Sequence, residues 1–175
     1  MRKLKLEELG RSSVDEFRSC KKNPIVLVLD NIRSGLNVGS IFRSADAFAV
    51  DHLILCGITA QPPHREVLKS AIGATESVLW KHHDSTLEVI QQLRSEGFQI
   101  WGVEQTNASK PLQQIMWDGE SIALVLGHEV RGLSEEILPL LDQAIEVPQF
   151  GSKHSLNVAV CAGIVLWHLM AQILK

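Results

Sequence analysis

Residues 25–56 read IVLVLDNIRSGLNVGSIFRSADAFAVDHLILC, and their pattern changes twice. Residues 25–29 are an unbroken apolar run of strand length. Over residues 38–48 the apolar positions return at helical spacing, so that Ile41, Ala45 and Phe48 share one face. Residues 52–56 are strand-like again. Strand, helix and strand in that order make a β-α-β unit, and a continuously apolar strand belongs to a parallel sheet covered on both sides. The alternation continues. Further strands are predicted at residues 77–80, 98–103, 122–126 and 144–147, with helices at 86–96 and 134–141 and an N-terminal helix around 6–18. The expected fold class is α/β: a single domain with a mainly parallel six-stranded sheet and helices on both faces.

A chain of 175 residues with 45% hydrophobic content can bury a core in one domain without disulfide staples. Its net charge of −3 is unevenly spread. Residues 1–24 hold seven basic residues (Arg2, Lys3, Lys5, Arg11, Arg18, Lys21, Lys22) against four acidic ones, a local +3 that leaves −6 on residues 25–175. This basic N-terminal extension suits two roles, contact with phosphates or a solvated amphipathic helix. Cys20, Cys56 and Cys161 are odd in number, far apart and not spaced with histidine as metal ligands, so they read as reduced thiols with no metal site. The start Met-Arg-Lys-Leu-Lys lacks the apolar stretch of a secretory signal, and a cytoplasmic protein is expected. Residues 155–174 are apolar almost all round, but His168 and Gln172 interrupt the run, which argues against a membrane anchor. Such a helix needs burial on several faces, and a second subunit would complete it.

Three loop-rich stretches each follow a predicted strand, where open α/β sheets bind ligands. The first begins at Asn31. There Gly35 and Gly39 loosen the backbone around Asn37, a candidate cap for the following helix, and Arg43 points away from the apolar face among small neighbours. Arg43 reads either as an exposed surface arginine or as a guanidinium for a phosphate or a developing oxyanion. The second stretch, SIALVLGHEVRGLSEEIL from Ser121, has Gly127 where a flat ligand could approach the backbone. Glu129 and Arg131 follow in the loop, where an ion pair is the plain alternative. The third, IEVPQFGSKHSLNVAVCAGI from Ile145, turns at Gly151 and reopens as a helix near Ser155, so Ser155 and Asn157 are either caps or site residues. The four tryptophans fall on strands or apolar helix positions and are expected in the core. No dinucleotide fingerprint, P-loop, nucleophile elbow or zinc-protease motif is present.

Taken in order, the three stretches resemble the three motifs of the SpoU/TrmH branch of the SPOUT methyltransferases, from about Ile25 to Leu174. Asn37, Gly39 and Arg43 match the first motif. LGHEVRGLS, with Glu129, matches the second, and VPQFGSKHSLNVAVC, with Ser155 and Asn157, the third. The resemblance implies a SPOUT-like methyltransferase domain over residues 25–175 with a C-terminal trefoil knot, an α/β-knot, and a homodimer built on the terminal helices. It implies S-adenosyl-L-methionine as cofactor, held largely by backbone groups at Val103, Glu104, Gly127, Val147, Ser155 and Leu156. It also implies transfer of a methyl group to a ribose 2′-hydroxyl of RNA. Arg43 is the candidate electrostatic clamp at the acceptor, ordered by Asn37, Glu129, Ser155 and Asn157. Family members acting on ribosomal RNA often carry an added N-terminal recognition domain. About 24 residues precede the first strand here, so tRNA is the expected partner and rRNA the alternative. A non-catalytic RNA-binding protein of the same fold is the reading from another class.

Overall fold

The computed structural model describes residues 1–174; Lys175, the last residue of the expected domain, lies outside the described residues. Seven strands, all in parallel pairings, form one sheet: β1 (Asn23–Asp30), β2 (Val50–Cys56), β3 (Leu79–His83), β4 (Gln99–Val103), β5 (Lys110–Pro111), β6 (Ile122–Leu126) and β7 (Gln143–Glu146), in the order β3-β2-β1-β6-β4-β7-β5. The helices are α1 (Val14–Ser19), α2 (Gly35–Ala47), α3 (Arg65–Ala71), α4 (Ala74–Ser77), α5 (Thr86–Ser95) and α6 (Val158–Ile173).

The uninterrupted apolar runs are the central strands. β1 pairs with β6 from Ile25 opposite Ile122 to Leu29 opposite Leu126, and all ten of these side chains are buried. Alternate residues serve opposite cores. Ile25, Leu27 and Leu29 join Val38, Ile41, Phe42 and Ala45 of α2 and the buried stripe of α6. Val26 and Val28 join Val89, Ile90 and Leu93 of α5 on the other face. Each fully buried Ile, Leu or Phe contributes about 1.5–3 kcal/mol to holding these layers together.

The sheet has seven strands, not six. The added strand, β5, is two residues long, too short to show a period, and its Pro111 is tolerated because it lies on the edge. The strand predicted at 77–80 is displaced to Leu79–His83, because Ser77 closes α4 by donating to the Ala74 carbonyl and to Asp46 Oδ2. The helix predicted at 134–141 is a 3-10 segment, Glu135–Leu140, containing Pro139. The N-terminal helix is broken in two. Leu6–Leu9 is a 3-10 turn ended by Gly10 at φ 58°, and Ser13 then starts α1 by accepting from the Glu16 amide while Glu16 accepts from the Ser13 amide. Helices α3 and α4 were not foreseen.

Two glycines read as loosening the backbone lie inside α2 instead. A Cβ on Gly39 would stand 2.3 Å from the Val67 carbonyl oxygen of α3, so glycine is what allows the two helices to touch. Helix α6 buries Ala162, Val165, Leu166, Leu169 and Met170 but leaves Val160 (53%), Ile164 (37%) and Trp167 (58%) exposed. The expectation that every tryptophan is core therefore fails at Trp167, whose ring lies 6.4 Å from that of Phe48. Among the described residues no helix is long and apolar enough to cross a membrane.

Candidate functional site

The parallel strands point their C-terminal ends at one rim, and three connections cross there: the segment after β4, the loop between β6 and the 3-10 segment, and the stretch between β7 and α6. They enclose a cleft of about 410 Å³. All six residues expected to hold the cofactor line it: Val103, Glu104, Gly127, Val147, Ser155 and Leu156. So does Glu129.

Glu129 organises the rim. Its Oε2 accepts from the Arg33 amide (2.9 Å), and its Oε1 accepts from the Ser34 amide (2.9 Å) and from Asn37 Nδ2 (2.8 Å). The carboxylate thus sits on the N-terminal end of α2, where free amides and the helix dipole favour negative charge. Burial pushes the Glu129 carboxyl up, but the amides of Arg33, Glu129 and Ser34 and the Asn37 carboxamide outweigh it, and the net direction is below the usual carboxylate range. The ion pair with Arg131 offered by the sequence is not made. Arg131 is exposed, and Glu129 is committed to α2.

Asn37 is not the cap of α2. That position is Ser34, which accepts from the Asn37 amide, and Asn37 lies in the first turn. From there its Oδ1 accepts from Asn157 Nδ2 (2.9 Å), while Asn157 Oδ1 caps α6 by accepting from the Ala159 and Val160 amides (2.9 and 3.3 Å). A single chain of hydrogen bonds therefore runs Glu129–Asn37–Asn157 and fixes the starts of α2 and α6 to the second loop. Asn157 is cap and link at once. Ser155 and Arg43 stand outside this chain. Ser155 is exposed at the cleft; Arg43 is exposed on α2, is not part of the cleft lining, and has no hydrogen bond or ion pair among the described residues.

Gly127 has a reason other than ligand approach. A Cβ there would meet Gly132 C at 2.4 Å and Leu133 N at 2.5 Å, so the loop folds back onto its own start. Gly132, at φ 68°, in turn packs against the Glu104 carboxylate, whose Oε2 accepts from the Leu133 amide (2.9 Å) and whose Oε1 accepts from the Gln105 amide (2.8 Å).

One contributor was not singled out in the sequence. Asp30 is fully buried at the end of β1 and accepts from Asn31 Nδ2 (2.9 Å), Thr86 Oγ1 (2.6 Å), and the Ser134 amide and hydroxyl (2.7 and 3.1 Å). A buried carboxylate persists only with such a donor set. It anchors the far end of the Glu129 loop to β1. The available signal was a carboxylate immediately after five apolar strand residues.

The profile of the SpoU rRNA methylase family matches residues 24–167, which includes every element of the cleft. The 23S rRNA (guanosine(2553)-2′-O)-methyltransferase RlmP of Bacillus subtilis is 33% identical over 144 residues, covering 82% of this chain and 57% of that protein, so the chain spans less than two thirds of this relative. The AdoMet-bound rRNA methyltransferase from Sinorhizobium meliloti superposes with a TM-score of 0.81 at 26% identity, over 91% of this chain and 61% of the other. The TrmH/SpoU tRNA modifying enzyme of A. aeolicus gives a TM-score of 0.80 at 25% identity, over 91% and 80%. Since the matched span carries the sheet order, the three rim loops and the bonded Glu129–Asn37–Asn157 chain, the protein belongs to the SpoU rRNA methylase family.

Proposed function

We propose that the protein transfers a methyl group from S-adenosyl-L-methionine to a ribose 2′-hydroxyl of RNA. The observation that carries this reading is the cleft: a family member's rim loops enclose a space of the size that takes a drug-sized ligand. Its lining suits the donor. Val103, Leu126, Val147 and Val158 offer apolar walls for a flat base, and Gly127 and Leu156 line the same space. When bound, this cofactor supplies an electrophilic methyl group on a sulfonium.

The chain's own residues divide the remaining work. Both Glu129 oxygens already accept from the residues that open α2, so Glu129 is a positioning residue and not a base. Arg43 is the acceptor's partner. A guanidinium in a protein does not surrender its proton, so we assign Arg43 to hold the ribose or its phosphate and to stabilise charge developing on the 2′-oxygen. Asn37 and Asn157 hold the α2 and α6 starts in register with the cofactor loops, and Ser155 supplies the one side-chain hydroxyl in that lining among the described residues. Metal ions have no part in this scheme.

Residues 25–175 are assigned as the methyltransferase domain and residues 1–24 as a basic extension. The trefoil threading belongs to the same reading. Its support is that β6 inserts between β1 and β4, and that Gln105 Nε2 donates to the His154 carbonyl (3.0 Å), pinning the third loop against the first. A homodimer is supported by the exposed stripe Val160, Ile164 and Trp167, an apolar surface that water does not favour. As for the acceptor, two of the three proteins named above are named for rRNA and one for tRNA, so the relatives give the tRNA expectation no advantage over rRNA.

Isothermal titration with S-adenosylmethionine, followed by incubation with labelled donor and separate tRNA and rRNA arms, tests the assignment. Binding, with label found as 2′-O-methylribose in one arm, is the expected result. No heat at millimolar donor would leave the non-catalytic RNA-binding reading in its place.

A further inference from the structure

The ionisable lining of the cleft is one-sided. Glu104, Glu129 and Glu146 all line it, each half-buried, and no lysine or arginine does. The ion pairs among the described residues lie elsewhere, at Arg2–Glu8, His52–Asp51 and Arg94–Asp142. Two imidazoles are also present. His128 Nδ1 is committed as an acceptor to the Val130 and Arg131 amides (3.0 and 3.4 Å), and His154 is exposed.

The three carboxylates differ in how far the protein answers them. Glu129 rests on the α2 terminus. Glu104 receives only the Leu133 and Gln105 amides, and Glu146 only the Ser109 hydroxyl (3.0 Å). Glu104 and Cys161 line the same cleft, where burial first and the Glu104 charge second push the Cys161 thiol up to about 11. Negative charge without a cationic partner, in a concave and partly desolvated site, raises the local concentration of cations.

We propose that Glu104 and Glu146 make this cleft select its ligand by charge, favouring the sulfonium donor over the neutral thioether that remains after transfer. The proposal rests on the cofactor reading above. In the reaction the S–CH3 bond breaks, an O–CH3 bond forms and the hydroxyl proton leaves to solvent, so the sulfur loses its positive charge. Donor and product otherwise share one shape, and a single methyl group gives a pocket little to discriminate by. A charge difference of one gives it more, and transfer itself ends the attraction that held the donor.

The test is titration calorimetry on the whole protein with three probes: S-adenosylmethionine, S-adenosylhomocysteine and sinefungin, which carries an ammonium group in place of the methyl sulfonium. Glu146→Gln keeps an acceptor for Ser109 and is the cleaner variant; Glu104→Gln is its companion. Each should weaken both cationic ligands by about fivefold, from one charge at partly screened range, and the neutral product by less than twofold. The difference should shrink in high salt. Equal loss for all three ligands would mean that the carboxylates only support the loop, and no loss would mean that their charge does not reach the sulfur; either result overturns the proposal. If the wild type bound none of the three, the cofactor reading itself would fall, an outcome distinct from binding with an unaltered ratio.

Discussion

Asn37 and Arg43 sit six residues apart on one helix and live in opposite circumstances. Asn37 donates to Glu129 and accepts from Asn157, so its carboxamide is fixed from two sides by residues 92 and 120 positions away. Arg43 is held by nothing among the described residues, although a guanidinium offers five donors. The contrast separates two kinds of motif residue. One kind joins loops that folding must bring together, and the other is exposed and unbonded, which under the proposed function leaves it for the acceptor. Removing the first should disturb the protein itself, whereas removing the second should disturb only what the protein does.

The largest effect expected is therefore functional. Arg43→Ala should lower methyl transfer by about 10²–10³-fold, the scale of losing one preorganised oxyanion donor, with thermal stability and donor affinity nearly unchanged. Rate assays alongside calorimetry check this, and a tenfold loss of donor affinity would move Arg43 to the cofactor side of the comparison.

Glu129→Gln should do the reverse in kind. One carboxamide oxygen cannot serve three donors, and about 1 kcal/mol of stability is expected to go with the unsatisfied amides. The pH dependence has a definite sign. The folded carboxyl lies below its unfolded value near 4.5, so its contribution is complete above that pH and fades as acid carries the protein through the lower folded value. Melting curves of wild type and Glu129→Gln should differ at pH 7 and draw together as the pH falls below 4.5. Parallel curves across that range would show that the charge on Glu129 contributes nothing to holding α2.

The smallest expected effect lies in the N-terminal extension, where pairing again divides the residues. Arg2 is engaged with Glu8 at 2.6 Å, while Lys3 and Lys5 are exposed and free of ion pairs among the described residues. Deleting residues 1–10 should flatten the salt dependence of RNA binding by about two units of slope, one per free lysine, and leave donor affinity alone. An unchanged slope would make the extension a solvated surface segment.

Much of this could be read along the chain. The apolar runs at 25–29 and 122–126 declared buried parallel strands, because a strand covered on both faces has no polar side to show. The resemblance of three stretches to one family's motifs grouped Asn37, Glu129 and Asn157 before any contact was known, and the structure bonds the three to one another. A local signal was passed over: Ser13 with Glu16 closes a capping box within four residues, short enough to read directly, yet the helix expected at 6–18 ran through it.

What only the tertiary structure decided is what depends on partners distant in sequence. Gly39 is required by the Val67 carbonyl on another helix, and Gly127 by Gly132 folding back on it; from the sequence both looked like freedom for the chain or room for a ligand. Asp30 is tolerable in the core only because Thr86 and Ser134, 56 and 104 residues on, supply its donors. Trp167 belongs to an apolar helix, yet it faces outward because α6 lies on the sheet with its other side. Composition and periodicity determine that a side chain must be buried or bonded. Which atoms meet it is set by close packing of elements that the linear sequence does not place side by side.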